Sequence, residues 1–147
     1  MNLKRKTMKS INPYLIFNGN AEEAFEFYQS VFGGKIFKMR FSEMPGTADM
    51  QDEDQNKLAH VALEIAGKDQ ILMASDAGIG HEATILKNGN YYLSLEPESA
   101  EEAESIYNQL SKDGKVFMPL DETDWAEKFA MFADKFGIQW MINYGDK

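Results

Sequence analysis

Apolar residues recur along this chain in two rhythms, a helical one and an alternating one, and the order of the rhythms is written twice. In Asn20–Lys35, Ala21, Ala24, Phe25, Tyr28, Val31 and Phe32 fall at three-to-four spacing. That spacing predicts a helix with one buried face. Asn20 is placed to cap it, accepting from the Glu23 amide while Glu23 reaches back. Glu22 and Glu23 sit at the positive end of the helix dipole, and Gly33-Gly34 ends the helix. The same phrase returns 79 residues later, where Ala100-Glu101-Glu102-Ala103 leads to Tyr107 as Ala21-Glu22-Glu23-Ala24 leads to Tyr28. Ser99 with Glu102 forms a second capping box, Ala103, Ile106, Tyr107 and Leu110 form the buried stripe, and Gly114 stops the helix. Each copy then runs into a Gly-Lys pair and an apolar strand, Gly34-Lys35-Ile36-Phe37 and Gly114-Lys115-Val116-Phe117. The repeat is longer than a solenoid unit of ~20–50 residues and is read as a half-domain used twice.

Strands fill the rest. Ile11–Phe17 reads as a strand, with Pro13 marking its start or an edge. Lys35–Phe41 alternates Phe37, Met39 and Phe41 against Lys38 and Arg40. Ser42–Lys57 is a long polar loop, of the kind that serves as a lid or partner contact. Leu58–Ala66 sets Ala59, Val61, Leu63 and Ile65 against His60, Ala62 and Glu64, and Gln70–Asp76 follows a turn. The glycine-bearing seam Ala77–Asn90 links the halves. Tyr91–Leu95, Val116–Leu120, Lys128–Ala133 and Gln139–Asn143 are the strands of the second half. The expected architecture is α+β: a single domain of tandem strand–helix–strand–strand–strand modules, about 11–76 and 91–146 joined by a linker over 77–90, forming a curled mixed sheet. Two such sheets side by side can curl into a common trough, which is where a ligand would bind.

Composition narrows the chemistry. The chain has 147 residues, no cysteine, 44% hydrophobic residues and a formal charge of −9. Disulfides and thiolate chemistry are excluded. The negative charge argues against nucleic acid and anionic membranes as partners. No apolar run approaches the ~18–20 residues of a membrane span. Lys4, Arg5, Lys6 and Lys9 lie in a segment without the apolar core of a signal peptide, so a cytoplasmic location is expected.

His60 can act as a general base, its ordinary pKa lying near neutrality, or can be a hydrogen-bonded structural histidine. Glu64 beside it orients the ring or is simply solvated. Glu122-Thr123-Asp124-Trp125 is a loop in which Glu122 is the second acid–base candidate. Trp125 there either walls a ligand or anchors the loop. Met73, Tyr92, Phe129, Met131 and Met141 can line an apolar pocket, with Ser94, Gln139 and Asn143 as its polar points; ordinary core is the alternative. The Asp76–Gly80 stretch has a lone Gly-x-Gly with no helix pattern after it, a weak sign of a nucleotide or methyl-donor loop. The acidic Asp49–Asp54 run lacks the spacing of a calcium loop.

Taken together these residues resemble the PhnB-like branch of the glyoxalase/bleomycin-resistance/dioxygenase, or vicinal oxygen chelate, superfamily. The resemblance is carried by Asn12-Pro13-Tyr14-Leu15 with Phe17, Gly19 and Glu22-Glu23-Ala24, and by Phe27-Tyr28 with Phe32-Gly33-Gly34. His60, Leu63-Glu64-Ile65 and Ser75-Asp76 also fit. So do Met118-Pro119-Leu120, Glu122-Thr123, Trp125, Asp134, Phe136-Gly137, Trp140 and Asn143. It spans roughly 11–143. Ala126 and Ala130 stand where the branch often has glycine. The branch has also carried the label of a demethylubiquinone methyltransferase domain. The resemblance implies the tandem βαβββ fold and a homodimer sharing edges and troughs, with the Ser42–Lys57 loop and Trp125 as candidate contacts.

Glyoxalase-like members hold a divalent metal through His, Gln or Glu on the first and last strands of each half. Here Met73 and Met141 stand at the corresponding carboxylate positions, and thioethers do not hold a hard or borderline dication. His60 and Glu64, four residues apart on a strand, are ~13 Å apart and cannot chelate together. His81-Glu82 lacks a third ligand nearby. No metal and no cofactor are expected. The favoured function is binding of a small apolar or aromatic molecule. The alternatives are an enzyme of the superfamily, lyase- or dioxygenase-like or of the methyltransferase type, and a dimeric interaction protein with a vestigial pocket.

Overall fold

The computed structural model describes residues 12–65, 70–77 and 91–147. The first half contributes β1 (Tyr14–Phe17), α1 (Ala21–Phe32), β2 (Ile36–Arg40), β3 (Leu58–Ile65) and β4 (Gln70–Asp76). The second contributes β5 (Leu93–Leu95), α3 (Ala100–Leu110), β6 (Lys115–Asp121), β7 (Ala126–Ala133) and β8 (Gln139–Asp146). Each half is a four-stranded mixed sheet, in the orders β1-β4-β3-β2 and β5-β8-β7-β6. The outer pair is parallel in both, β1 with β4 and β5 with β8. The written repeat is thus a structural one, with Ala21 and Ala100 opening the two helices.

Both copies need a glycine after the helix, for the same steric reason. A Cβ on Gly34 would run into the Glu64 carbonyl oxygen, and one on Gly114 into that of Ala133. Only a residue without a side chain lets the returning chain lie so close to the neighbouring strand.

Several local expectations shift. The polar Ser42–Lys57 stretch is not wholly irregular: a 3-10 turn at Phe41–Glu43 opens it, and it contains a one-turn helix α2 (Asp52–Gln55). Phe41 therefore leaves the β2 alternation. The pairing of β2 with β3 slips between Met39 and Arg40, so that Met39 faces His60 while Arg40 faces Leu58 and Ala59 is the extra residue. The extra residue gives Leu58, rather than Ala59, the fully buried place. Asn20 makes no side-chain cap to α1. Its place is taken from a distance by buried Asp76, which accepts from the Ala21 amide at 2.9 Å and the Leu58 amide at 2.9 Å. The second helix keeps its local cap: Ser99 Oγ accepts from the Glu102 amide at 3.0 Å, and Glu102 accepts from the Glu98 amide at 3.1 Å.

One buried cluster draws on both halves: Leu15, Val61, Leu63 and Ala74 from the first sheet, Phe132, Trp140 and Ile142 from the second, with Phe25 and Tyr28 of α1 and Leu110 of α3. The α1 rings cross the boundary, Tyr28 and Phe32 each lying 5.6 Å from Trp140. At the centre Asp134 accepts from the Tyr28 hydroxyl (2.6 Å), Trp140 Nε1 (2.8 Å) and the Phe136 and Ile138 amides (2.8 and 3.0 Å). Burial raises the Asp134 pKa above the usual carboxylate range although these four donors pull it down. Burial, and then the nearby Asp134 charge, raise that of Tyr28.

Each sheet therefore turns one face to a shared core and the other outward. Among the described residues no strand of one sheet pairs with a strand of the other. A trough common to the two halves of one chain does not form, because the helices and the core occupy the space between the sheets. No helix among the described residues is long and apolar enough to cross a membrane.

Candidate functional site

The alternation of each strand decides what its outward face carries. On the first sheet, one rung runs Tyr14, Met73, Ala62, Phe37 across four strands. His60 lies two residues before Ala62 on the same face, beside Met39. The Tyr14 hydroxyl and His60 Nδ1 are 3.0 Å apart, and their rings stack at 5.7 Å and 29°. Phe37 approaches the imidazole from the other side at 6.4 Å. Tyr14, not Glu64, orients the His60 ring. Glu64 is further along the strand, opposite Ile71. Tyr14 and Phe37 are 46% and 57% exposed, so two aromatic rings stand in solvent around a histidine.

On the second sheet, the matching rung runs Ser94, Met141, Met131, Met118. Three thioethers on adjacent strands make this face soft and apolar. Tyr92 meets Phe117 edge-to-face at 6.4 Å. Those two residues come from opposite margins of the sheet, so their rings reach toward each other over the methionine rung. Gln139 Nε2 donates to the Tyr91 carbonyl at 2.7 Å. At the far end Phe129 stands opposite Asn143, and Trp125, 52% exposed, lies edge-to-face on Phe129 at 5.3 Å. Asn143 Nδ2 donates to Asp146 at 3.4 Å, while its Oδ1 is buried without a partner among the described residues.

The structure gathers Tyr92, Ser94, Phe129, Met131, Met141 and Asn143 on one face, with Trp125 at its rim. It places His60, Glu64 and Met73 on the other. Glu122 does not join His60 within one chain, since it lies beyond β6 and is held by Lys147 Nζ. Tyr14, Phe37, Phe117 and Met118 are face residues that the sequence reading did not single out as site residues. Their signal was present in the strand alternation, but the partners that give it meaning lie on distant strands. Ala126 and Ala130 are fully buried on the core side and so do not shape either outward face.

A divalent metal does not fit these faces. Met73 and Met141 hold equivalent central positions, each flanked by the outer parallel strand. Among the described residues no three of His, Cys, Asp and Glu gather to hold an ion. His81-Glu82 and the Gly78–Gly80 pair lie outside the described residues.

Away from the faces, Lys38 and Arg40 turn to the helix side of β2. Both bind Glu22, at 3.0 and 2.7 Å, and Lys38 also reaches Glu26 at 3.2 Å. The hydrogen bond from Arg40, then that from Lys38, hold the Glu22 pKa at about 2.

Residues 9–143 match the family model for 3-demethylubiquinone-9 3-methyltransferase. The chain is 35% identical over 144 residues to the protein YjdN of Escherichia coli K12, covering 90% of this chain and 93% of that one. Among solved structures it is similar to PA1353 of Pseudomonas aeruginosa, at 38% identity and a TM-score of 0.78 over 93% of this chain and 98% of that one. It is also similar to a PhnB protein of Bacillus cereus described as a putative 3-demethylubiquinone-9 3-methyltransferase, at 25% identity and a TM-score of 0.69 over 92% and 98%. A glyoxalase/bleomycin resistance protein/dioxygenase from Nocardioides shares the fold alone, at 19% identity and a TM-score of 0.57 over 99% and 87%. The match over nearly its full length shows that the chain belongs to the 3-demethylubiquinone-9 3-methyltransferase family, with a doubled fold shared with a glyoxalase/bleomycin resistance protein.

Proposed function

We propose that this protein binds a small apolar or aromatic molecule, without a divalent metal, in a cleft completed by a second copy of itself in the cytoplasm. The observation that carries this is the pair of thioethers, Met73 and Met141, at the centres of two outward faces lined by aromatic rings. Water-exposed Tyr14, Phe37, Phe117 and Met118 are costly as a permanent surface and useful as walls of a binding cleft. Since the faces of one chain look away from each other, two chains are needed to set one sheet against the other. The loop over 42–57 and Trp125 are the further contacts such a dimer would use. Acid–base catalysis by His60 with Glu122 finds no support in one chain, because the two belong to different sheets. Methyl transfer, which the family's description names, is not needed for this function.

Thermal shift against small aromatics and quinones tests the binding. A ligand at 100 times its Kd raises stability by ~2.7 kcal/mol. Elemental analysis of protein purified without added metal accompanies it, and a stoichiometric divalent ion would sink the metal-free assignment. His60→Ala is expected to keep the fold and weaken ligand affinity; unchanged affinity removes His60 from the site. Sedimentation at micromolar concentration reads the assembly, with a monomer counting against it.

A further inference from the structure

We infer that the low floor at Ala62 on the first sheet's outward face takes an uncharged, flat aromatic compound with a carbonyl oxygen conjugated to its ring, and that His60 Nε2 donates the hydrogen bond that orients it. This names the ligand class for the function proposed above and rests on that proposal. Three observations converge there.

The first is an oriented donor. A phenol hydroxyl is a strong donor and a neutral imidazole nitrogen a strong acceptor, so the 3.0 Å contact is assigned as the Tyr14 hydroxyl donating to His60 Nδ1. That bond fixes the tautomer and leaves the ring proton on Nε2. Nε2 has no partner among the described residues, yet it is not a buried atom left without one, so solvent and ligand reach it. The second is shape. On the rung Tyr14, Met73, Ala62, Phe37, the third position carries only a methyl group and is half-buried. A low floor thus lies between Met73 and exposed Phe37, with the Tyr14 and His60 rings beside it. Flanking rings and a thioether favour an aromatic occupant.

The third is charge. Lys38 and Arg40 are on the helix side of β2, bound to Glu22. No other strand of this sheet contains Lys or Arg, so none brings a cation beside His60. Beyond Ala62, Glu64 lies alongside Lys35, whose carbonyl accepts from the Glu64 amide at 3.0 Å, so that end of the face carries one charge of each sign. An anion would give up its water here without a counter-ion, whereas a neutral carbonyl oxygen loses little and gains the imidazole N–H.

The test titrates the full chain, in 0.15 M salt, with 2-acetonaphthone, 2-ethylnaphthalene and 2-naphthoate, which are matched in shape. Proton–nitrogen NMR of the imidazoles reads the binding, the His60 signals being assigned from their loss in His60→Phe. The free protein is expected to show His60 protonated on Nε2; a proton on Nδ1 instead overturns the donor. 2-Acetonaphthone is expected to bind about three- to tenfold tighter than 2-ethylnaphthalene, the span of one net hydrogen bond, and to shift Nε2, with 2-naphthoate weakest. His60→Phe is expected to erase that preference while 2-ethylnaphthalene still binds. Tyr14→Phe is expected to narrow it and to mix the two tautomers. Ala62→Phe fills the floor from the outward face, and is expected to weaken both neutral probes about tenfold or more. If 2-naphthoate binds tightest, if the preference survives in His60→Phe, or if folded Ala62→Phe binds as the unaltered chain does, the ligand class or its place is wrong and binding of an apolar molecule stands. If none of the three probes binds the unaltered chain, the proposed function falls with it.

Discussion

In the first sheet the outward face carries an imidazole, held by a tyrosine hydroxyl that reaches over β4 from the edge strand β1. In the second, the register puts Phe129 where His60 stands and Ser94 where Tyr14 stands. The core sides of the two sheets have stayed alike, both large and apolar under a helix, while the outward sides have parted into a polar-aromatic face and a thioether face. The helices differ in the same spirit. Tyr107 packs on Phe132 of its own sheet, whereas Tyr28, at the same place in the repeat, reaches across to Asp134 of the other half. A duplicated fold keeps what the packing of each unit demands and changes what only the pair, or a ligand, can use.

The widest gap between the halves should come from Asp134. Asp134→Ala leaves the Tyr28 hydroxyl, the Trp140 N–H and two amides without their acceptor, and is expected to cost about 3 kcal/mol or more in urea unfolding. A loss below 1 kcal/mol would mean that water replaces the carboxylate and the halves are not tied there. The caps sharpen the contrast next. Ser99→Ala is expected to cost about 1 kcal/mol and Asn20→Ala only a few tenths, since α1 draws its acceptor from Asp76. Equal losses would restore the local cap to the first helix. The smallest effect belongs to Glu22. Its folded pKa of about 2 lies below the ordinary 4.5, so its contribution is complete above pH 4.5 and disappears as pH falls toward 2. With its side chain 35% exposed, solvent limits this to about 1 kcal/mol, and Glu22→Gln should flatten that part of the stability curve. Asp134 has the opposite sign: its pKa is raised, so its contribution is largest in acid and declines as pH rises through the carboxylate range and above.

Much of this was legible in the chain. The repeat gave both helices to the residue at their starts, and alternation gave β4 its bounds, because these patterns are local. What escaped was long-range. The cap of α1 comes from Asp76, 55 residues from Ala21, and the partner of His60 is Tyr14, 46 residues away. The slip at Met39/Arg40 moved burial from Ala59 to Leu58, since one extra residue reverses the phase of a strand. The sheets' arrangement was also beyond reach. Periodicity says which side of a strand is buried, but the same pattern serves halves that face each other and halves that stand back to back.

The hydroxyl of Tyr28 bound to Asp134 has a consequence for how the molecule comes apart. A fragment holding only the second half would present Trp140, Phe132 and a sequestered carboxylate to water, and one holding only the first would lose the acceptor of its most enclosed phenol. Neither half is expected to fold as a self-sufficient unit. The duplication visible in the letters is therefore not a seam along which the protein melts, and heat or denaturant should dismantle both copies in a single cooperative step.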